Sequence, residues 1–283
     1  PTFALQGKFL LTATIFRCLD PALTIAAALN SKSPFLTPFG KETQARNAKL
    51  GFKVADSDLM TIAHAFNSWR RASANNHART FCQKNFLSQQ TLQQIEELRQ
   101  QYLTYLIDTG FVSVSPEMRH EIARARYKTW NRPRFTPTPE EYNLYSSSVS
   151  VINAAAAAGL YPKLIAIAPN NFSLRTIGNN QPVFIHPSSV NFKGKPSELP
   201  KGVHHLLYFN IMQSRKLFAW ETAALDDRVI LLACGEADAK LSANSLFIDR
   251  KLKFGVHDLK TNVALDMLRD RMNRLITSTF KTP

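Results

Sequence analysis

Apolar residues recur along this chain in two rhythms, and the change from one to the other divides it. Up to about residue 158 the apolar positions fall at three- and four-residue steps, the spacing of one helix face. Residues 8–29 read as two helices broken at Asp20-Pro21, an N-cap followed by a proline at the first helical position. Arg17, Asp20 and Pro21 interrupt this apolar stretch, so it suits a buried helical hairpin and not a membrane span. Ser33-Pro34-Phe35 and Thr37-Pro38-Phe39-Gly40 form a loop with two proline stops. Asp56 and Asp58 are candidate caps for a helix carrying Leu59, Ile62, Ala63, Phe66 and Trp69. Ser88 caps another, with Leu92, Ile95, Leu98, Tyr102, Tyr105 and Leu106 on one face and Gly110 just past its end.

From Arg119 to Arg134 the periodicity fades and basic residues accumulate, and Asn131 to Pro139 is rich in proline, which predicts an exposed basic segment or linker. A helix over Leu144–Ala158, ended by Gly159, precedes the change of rhythm. Beyond it come short runs of strand formers: Leu164–Ala168, Phe172–Ile177, Val183–His186, Leu206–Ile211, Leu217–Thr222, Val229–Ala233 and Leu252–Val256. Short strands separated by turn residues suit a small barrel, and a five-stranded OB-like barrel is the size that fits. An amphipathic helix from Leu259 to Phe280 follows. The predicted class is therefore α+β, with a helical domain over 1–130, a basic Pro-rich linker and junction helix over 131–158, and an OB-like domain with a C-terminal helix over 159–283.

Charge narrows the function. Thirty-five Lys and Arg against 21 Asp and Glu leave +14. The excess is present in both halves, which predicts a positive surface across two domains, as a chain tracking a phosphate backbone requires. Cys18, Cys82 and Cys234 lack the spacing of a disulfide framework or a zinc site and point to a reducing compartment. The three Gly-Lys pairs are followed by Phe9, Glu42 and Pro196, so no phosphate-cradling P-loop is present, and no acidic box for magnesium or hydrolase signature occurs either. Catalysis is not expected of this chain. His204-His205 are adjacent, and in a strand they point to opposite faces, which speaks against a shared metal. His64 reads as a packed polar residue.

Several motifs then occur in a telling order. Cys18-Leu-Asp-Pro-Ala-Leu-Thr-Ile-Ala-Ala27 with Lys32-Ser-Pro-Phe35, Asp56-Ser-Asp58 with Thr61 and Ala65-Phe-Asn-Ser-Trp69, and Phe81-Cys82 with Asn85-Phe-Leu-Ser88 and Thr91-Leu92 lie in the helical half. Ala158-Gly-Leu-Tyr-Pro162 and His186-Pro-Ser-Ser-Val-Asn-Phe192 lie in the second. Together they resemble the helicase-associated region of the DEAH/RHA family, most closely its large cytoplasmic, translation-linked members. Leu59 departs from the family's usual His, and Arg119–Pro139 matches no family segment.

The resemblance implies a ratchet domain followed by an OB-fold, which together with RecA-like motor domains form a channel around single-stranded RNA. ATP and magnesium belong to that motor, so this chain, which reads as a fragment because Pro1 is no natural start, is expected to hold no cofactor of its own. The implied location is the cytoplasm, with the nucleus as the alternative. On the OB side the turn residues His186, Ser188, Ser189 and Asn191, the following Lys193 and Lys195, and Arg215, Lys216 and Thr222 are candidate RNA contacts, Ser and Asn as phosphate and sugar donors and Lys and Arg as charges. On the helical side Arg70, Arg71 and Lys84 bracket a loop that could reach the channel. Two other readings compete: a protein-docking platform for an activator or the ribosome, and a stand-alone OB-type RNA-binding adaptor.

Overall fold

The computed structural model describes residues 2–125, 135–168, 170, 172–193, 202–240, 245–256 and 258–281. Helices α1 (Thr2–Ile15) and α2 (Leu19–Leu29) form the expected hairpin. Every residue of α2 except Asp20 is buried, as an element apolar on all sides must be. Asp20 does not cap it. The helix begins two residues earlier, after Cys18, whose side chain makes no capping bond, and the Asp20 carboxylate is drawn instead to Arg99 at 2.6 Å. Pro21 still sits within the first turn, where its missing N–H costs nothing.

Against this hairpin packs α8 (Val149–Leu160), with its run of five alanines. Gly159, expected to end this helix, lies inside it, because a Cβ there would stand 2.3 Å from Phe9 Cα. The close approach of α1 and α8 demands glycine at that point. α4 (Asp58–Ala74) and α6 (Gln89–Asp108) carry the two predicted amphipathic stripes, capped by Ser57 Oγ accepting from Met60 N and Ser88 Oγ accepting from Thr91 N, each at 3.2 Å. Between them Phe52, Ile62, Phe66, Trp69, Leu92 and Ile95 form a second core. The short helices α3 (Glu42–Leu50), α5 (Ala78–Lys84) and α7 (Pro116–Ala125) are not evident from the apolar pattern, for each buries only one side chain and so shows little rhythm.

The predicted linker is partly anchored. Residues 131–134 lie outside the described set, but Phe135 meets the Trp69 ring edge-on at 5.4 Å, and Thr136 N donates to Glu96 Oε1 at 2.5 Å. Thr138 Oγ1 donates to Asp20 at 3.1 Å. The hub is Arg99, fully buried, which binds Asp20, Glu96 and Thr24. Burial opposes ionisation of Asp20, yet Arg99 and Arg70 outweigh it and hold its carboxyl below the usual value.

Among its described residues the second half holds ten strands in three small sheets, which do not show a closed five-stranded barrel. β1 (Leu164–Ile167), β2 (Leu174–Thr176), β4 (His205–Leu207) and β7 (Ala223–Leu225) make one sheet in the order β2-β1-β4-β7. β3 (Phe184–Ile185), β6 (Leu217–Trp220) and β5 (Asn210–Gln213) make the next, with β3 parallel to β6. The predicted strand over Leu206–Ile211 is thus two strands, β4 and β5. They form one bent hairpin with β6 and β7, which kinks at Glu221, where φ is +48°, and is bridged by Phe209 N to Trp220 O. β8 (Ala237–Lys240), β9 (Ser245–Ile248) and β10 (Leu252–Gly255) form the third sheet.

Val229–Ala233, expected as a strand, belongs to the helix α9 (Asp227–Ala233), because Asp226 accepts from Arg228 N at 2.9 Å and opens a helical turn. α10 (Leu259–Lys281) closes the described chain. One core cluster runs from Phe9 through Ala156 and Leu207 to Phe254, so the helical and β-rich halves share an interior. No described helix is long and apolar enough to cross a membrane.

Candidate nucleic-acid interface

Asp58, the first residue of α4, is where the two halves are joined. It is 2% exposed, and its Oδ2 accepts from Ser189 Oγ at 2.5 Å and Thr222 N at 3.1 Å, while Oδ1 accepts from Val190 N at 3.1 Å. Asp58 N in turn donates to Thr222 O at 2.8 Å. Asn191 Nδ2 reaches Asp56 O at 2.8 Å and Thr222 Oγ1 at 3.0 Å. Lys49, projecting from α3, pairs with Asp58 at 3.0 Å and donates to Ser188 O at 2.6 Å. These bonds clamp the 186–192 turn onto the N-terminus of α4, where a carboxylate is favoured by the helix dipole.

Beside the joint, Glu221 is largely buried, and one of its carboxylate oxygens has no hydrogen-bond partner. Burial, with the Asp58 charge adding to it and Lys49 opposing, pushes its carboxyl up to about 7. The neighbouring His186 ring lies flat on Trp220, centroids 3.4 Å apart and 18° from parallel. Its Nδ1 accepts from Ser188 N at 3.2 Å, and burial together with Lys49 lowers its pKa, which favours the neutral ring. Phe184 and Phe218 continue the ring-bearing surface at 6.2 Å. At its edge exposed Lys216 lies over the Phe184 ring at 4.4 Å with exposed Arg215 next to it in the chain, while half-buried Lys193 follows the 186–192 turn and Arg46 of α3 lies over the Phe192 ring at 5.6 Å.

Comparison with known proteins agrees with this geometry. Residues 5–90 match the helicase associated domain (HA2), ratchet-like, and residues 152–237 match the oligonucleotide/oligosaccharide-binding (OB)-fold. The chain is 32% identical over 234 residues to the DExH-box ATP-dependent RNA helicase DExH1 of Arabidopsis thaliana, covering 81% of this chain and 21% of that protein. It is 30% identical over 239 residues to the ATP-dependent DNA/RNA helicase DHX36 of Homo sapiens, again 81% of this chain and 21% of the relative. The putative ATP-dependent RNA helicase DHX57 of Homo sapiens is 37% identical over 168 residues, 57% of this chain and 12% of the relative. The chain belongs to the helicase-associated region of the DEAH/RHA family. It spans about a fifth or less of the length of these relatives.

Within this DEAH/RHA region the structure separates the predicted contact residues. Ser189, Asn191 and Thr222 are 6%, 1% and 0% exposed and bonded to one another, Ser189 and Thr222 also to Asp58 and Asn191 to Asp56 O, so they hold the joint together and are not open to a ligand. His186 offers an aromatic ring and not a charge. Arg70 is turned inward, 3.4 Å from Asp20 and over the Phe135 ring at 5.2 Å, because it pairs with the half-buried Asp20 carboxylate. Ser188 bonds the His186 ring and Lys216 lies over Phe184, with exposed Arg215 next to it and half-buried Lys193 after the turn, whereas Arg71 and Lys84 are exposed on the helical side and take no part in the joint. Lys195 lies outside the described residues.

The sequence reading missed Lys49, Arg46, Phe184, Phe218 and Trp220. The aromatic positions had a signal: Phe184-Ile-His186 and Phe218-Ala-Trp220 alternate with period two. The α3 cations had none, since their place depends on how α3 docks. His204 and His205 do not diverge as expected, for both Nδ1 atoms meet the Asp227 carboxylate, at 2.8 and 2.7 Å. His204 precedes β4, so strand alternation does not govern it. Among the described residues no cluster of three or more His, Cys, Asp or Glu is placed to hold a metal.

Proposed function

We propose that this chain is the RNA-binding C-terminal part of an ATP-dependent RNA helicase. It forms one wall of a single-strand channel and couples to RecA-like motor domains outside this sequence, where ATP and magnesium act. The observation that carries the reading is the joint at Asp58, which brings the α3 cations Lys49 and Arg46 against Ser188 and Phe192 of the turn that Lys193 follows, with Lys216 over the Phe184 ring of the neighbouring sheet and Arg215 next to it in the chain. A phosphate backbone crossing this rim meets charges from both halves at once, and the rigid clamp keeps the two sets in register.

The test is a salt titration of single-stranded RNA binding. Replacing Arg46, Lys193, Arg215 and Lys216 by Ala is expected to weaken binding and to flatten the dependence of log K on log salt by ~0.7 for each phosphate that is no longer neutralised. An unchanged slope refutes the reading. The docking alternative draws on α10, where Leu259, Val263, Met267 and Leu275 are 43–68% exposed along an otherwise charged helix.

A further inference from the structure

The outward face of the β3-β6-β5 sheet carries rings where a sheet facing water ordinarily carries polar side chains. Phe184 and Phe218 are direct partners across β3 and β6, and one step further His186 covers Trp220. Side chains alternate along a strand, so Ile185 and Ala219, both buried in the β core, point inward and the four rings point out together. β5 extends both rows, placing exposed Met212 opposite Phe218 and exposed Asn210 opposite Trp220. Phe184 is 44% exposed and Met212 58%. Folding does not require this apolar surface to stay open, and a contiguous patch of this kind marks a binding face.

The edges of the face specify the ligand. Lys216 Nζ lies 4.4 Å from the centre of the Phe184 ring, with Arg215 beside it in the β5–β6 turn, and Lys49 Nζ reaches Ser188 O next to His186. An apolar peptide would gain little from cations around its groove. A nucleotide chain supplies flat apolar faces with a negative charge beside each, which is the pairing found here. The spacing excludes a duplex. Successive rows are two strand residues apart, roughly 6.6–6.8 Å, about twice the ~3.4 Å between stacked bases of one strand. Bases resting on neighbouring rows are therefore unstacked from one another.

Resting on the RNA-binding reading above, we infer that the Phe184, Phe218 and His186-Trp220 rows stack the unstacked bases of a single strand, without reading their edges. Rings and cations dominate the face, and Asn210 joins the His186 ring as a polar group in its rows, so sequence preference is weak.

The experiment compares a labelled oligouridine with an abasic ribose-phosphate polymer of the same length and charge, by anisotropy at fixed salt. The native chain is expected to bind the base-bearing strand roughly 5- to 150-fold more tightly for each base stacked. Phe184→Ala and Phe218→Ala are expected to shrink that ratio towards one while leaving the salt slope unchanged. Phe218→Leu, which keeps the apolar bulk and the fold, is expected to shrink it too. Equal affinity of the native chain for the two polymers, with a steep salt slope, overturns the stacking face and leaves the RNA reading standing. Absence of binding to either polymer overturns both. Variants that weaken both polymers equally also overturn the stacking role.

Discussion

Replacing Asp58 by Ala removes the acceptor shared by Ser189 Oγ, Val190 N and Thr222 N, all within 3.1 Å of its carboxylate. The site is 2% exposed, so water has little access to the donors left behind. A buried donor without a partner costs about 1–3 kcal/mol, and allowing for some relaxation the expected loss is about 3–5 kcal/mol. The pair with Lys49, whose side chain is 18% exposed, adds at most about 1 kcal/mol. Asp58→Asn retains one acceptor oxygen but turns an NH2 towards a donor, and about half the loss is expected. Guanidinium denaturation followed by circular dichroism measures both variants, and limited proteolysis should find the 186–193 turn more readily cut in Asp58→Ala. A loss below about 1 kcal/mol for the Ala variant, or a turn as resistant as in the native chain, refutes the idea that Asp58 clamps the halves.

Two further outcomes bear on the fold. Gly159→Ala places a Cβ 2.3 Å from the Phe9 backbone, which cannot rotate away, so a loss of at least about 3 kcal/mol and a lower Tm are expected; an unchanged Tm shows that α1 and α8 do not meet there. Glu221, whose folded carboxyl titrates at about 7 against an ordinary 4.5, binds its proton more tightly folded than unfolded. Its contribution is favourable below pH 4.5 and is lost as pH rises towards 7, so Glu221→Gln should gain stability over the native chain across that window. The gain reaches on the order of 2–3 kcal/mol, and a difference independent of pH between about 4 and 8 contradicts this.

Much of the helical half is legible in sequence because its long helices α4 and α6 each bury an apolar stripe at helical spacing. Ser88 as cap and Leu92, Ile95 and Leu106 on the buried face follow from side chains within the same helix and stand where the spacing puts them, whereas Tyr105, expected on that face, is 63% exposed and Leu103 and Ile107 are buried instead. Asp20 misleads for the same reason: its local role as a cap loses to Arg99, 79 residues away, and nothing near Asp20 announces that partner. Val229–Ala233 shows the limit for short apolar runs, which look alike as strand or helix until Asp226 caps the turn before them. The candidate site divides likewise. Lys193, Arg215 and Lys216 declare themselves by charge, while Ser189, Asn191 and Thr222 look equally available and are buried.

Local patterning thus set the helical-then-β order and the basic character of both halves, because periodicity, caps and charge are properties of neighbouring residues, while the family came from the resemblance of motifs in their order along the chain. Which polar groups face each other, how the α4 N-terminus meets the 186–192 turn, and which rings lie on one sheet face depended on packing between distant segments, such as Asp58 against Ser189, 131 positions further along the chain. A short polar side chain looks the same in sequence whether it greets solvent or a buried carboxylate, and only packing, by deciding where water is excluded, separates the two.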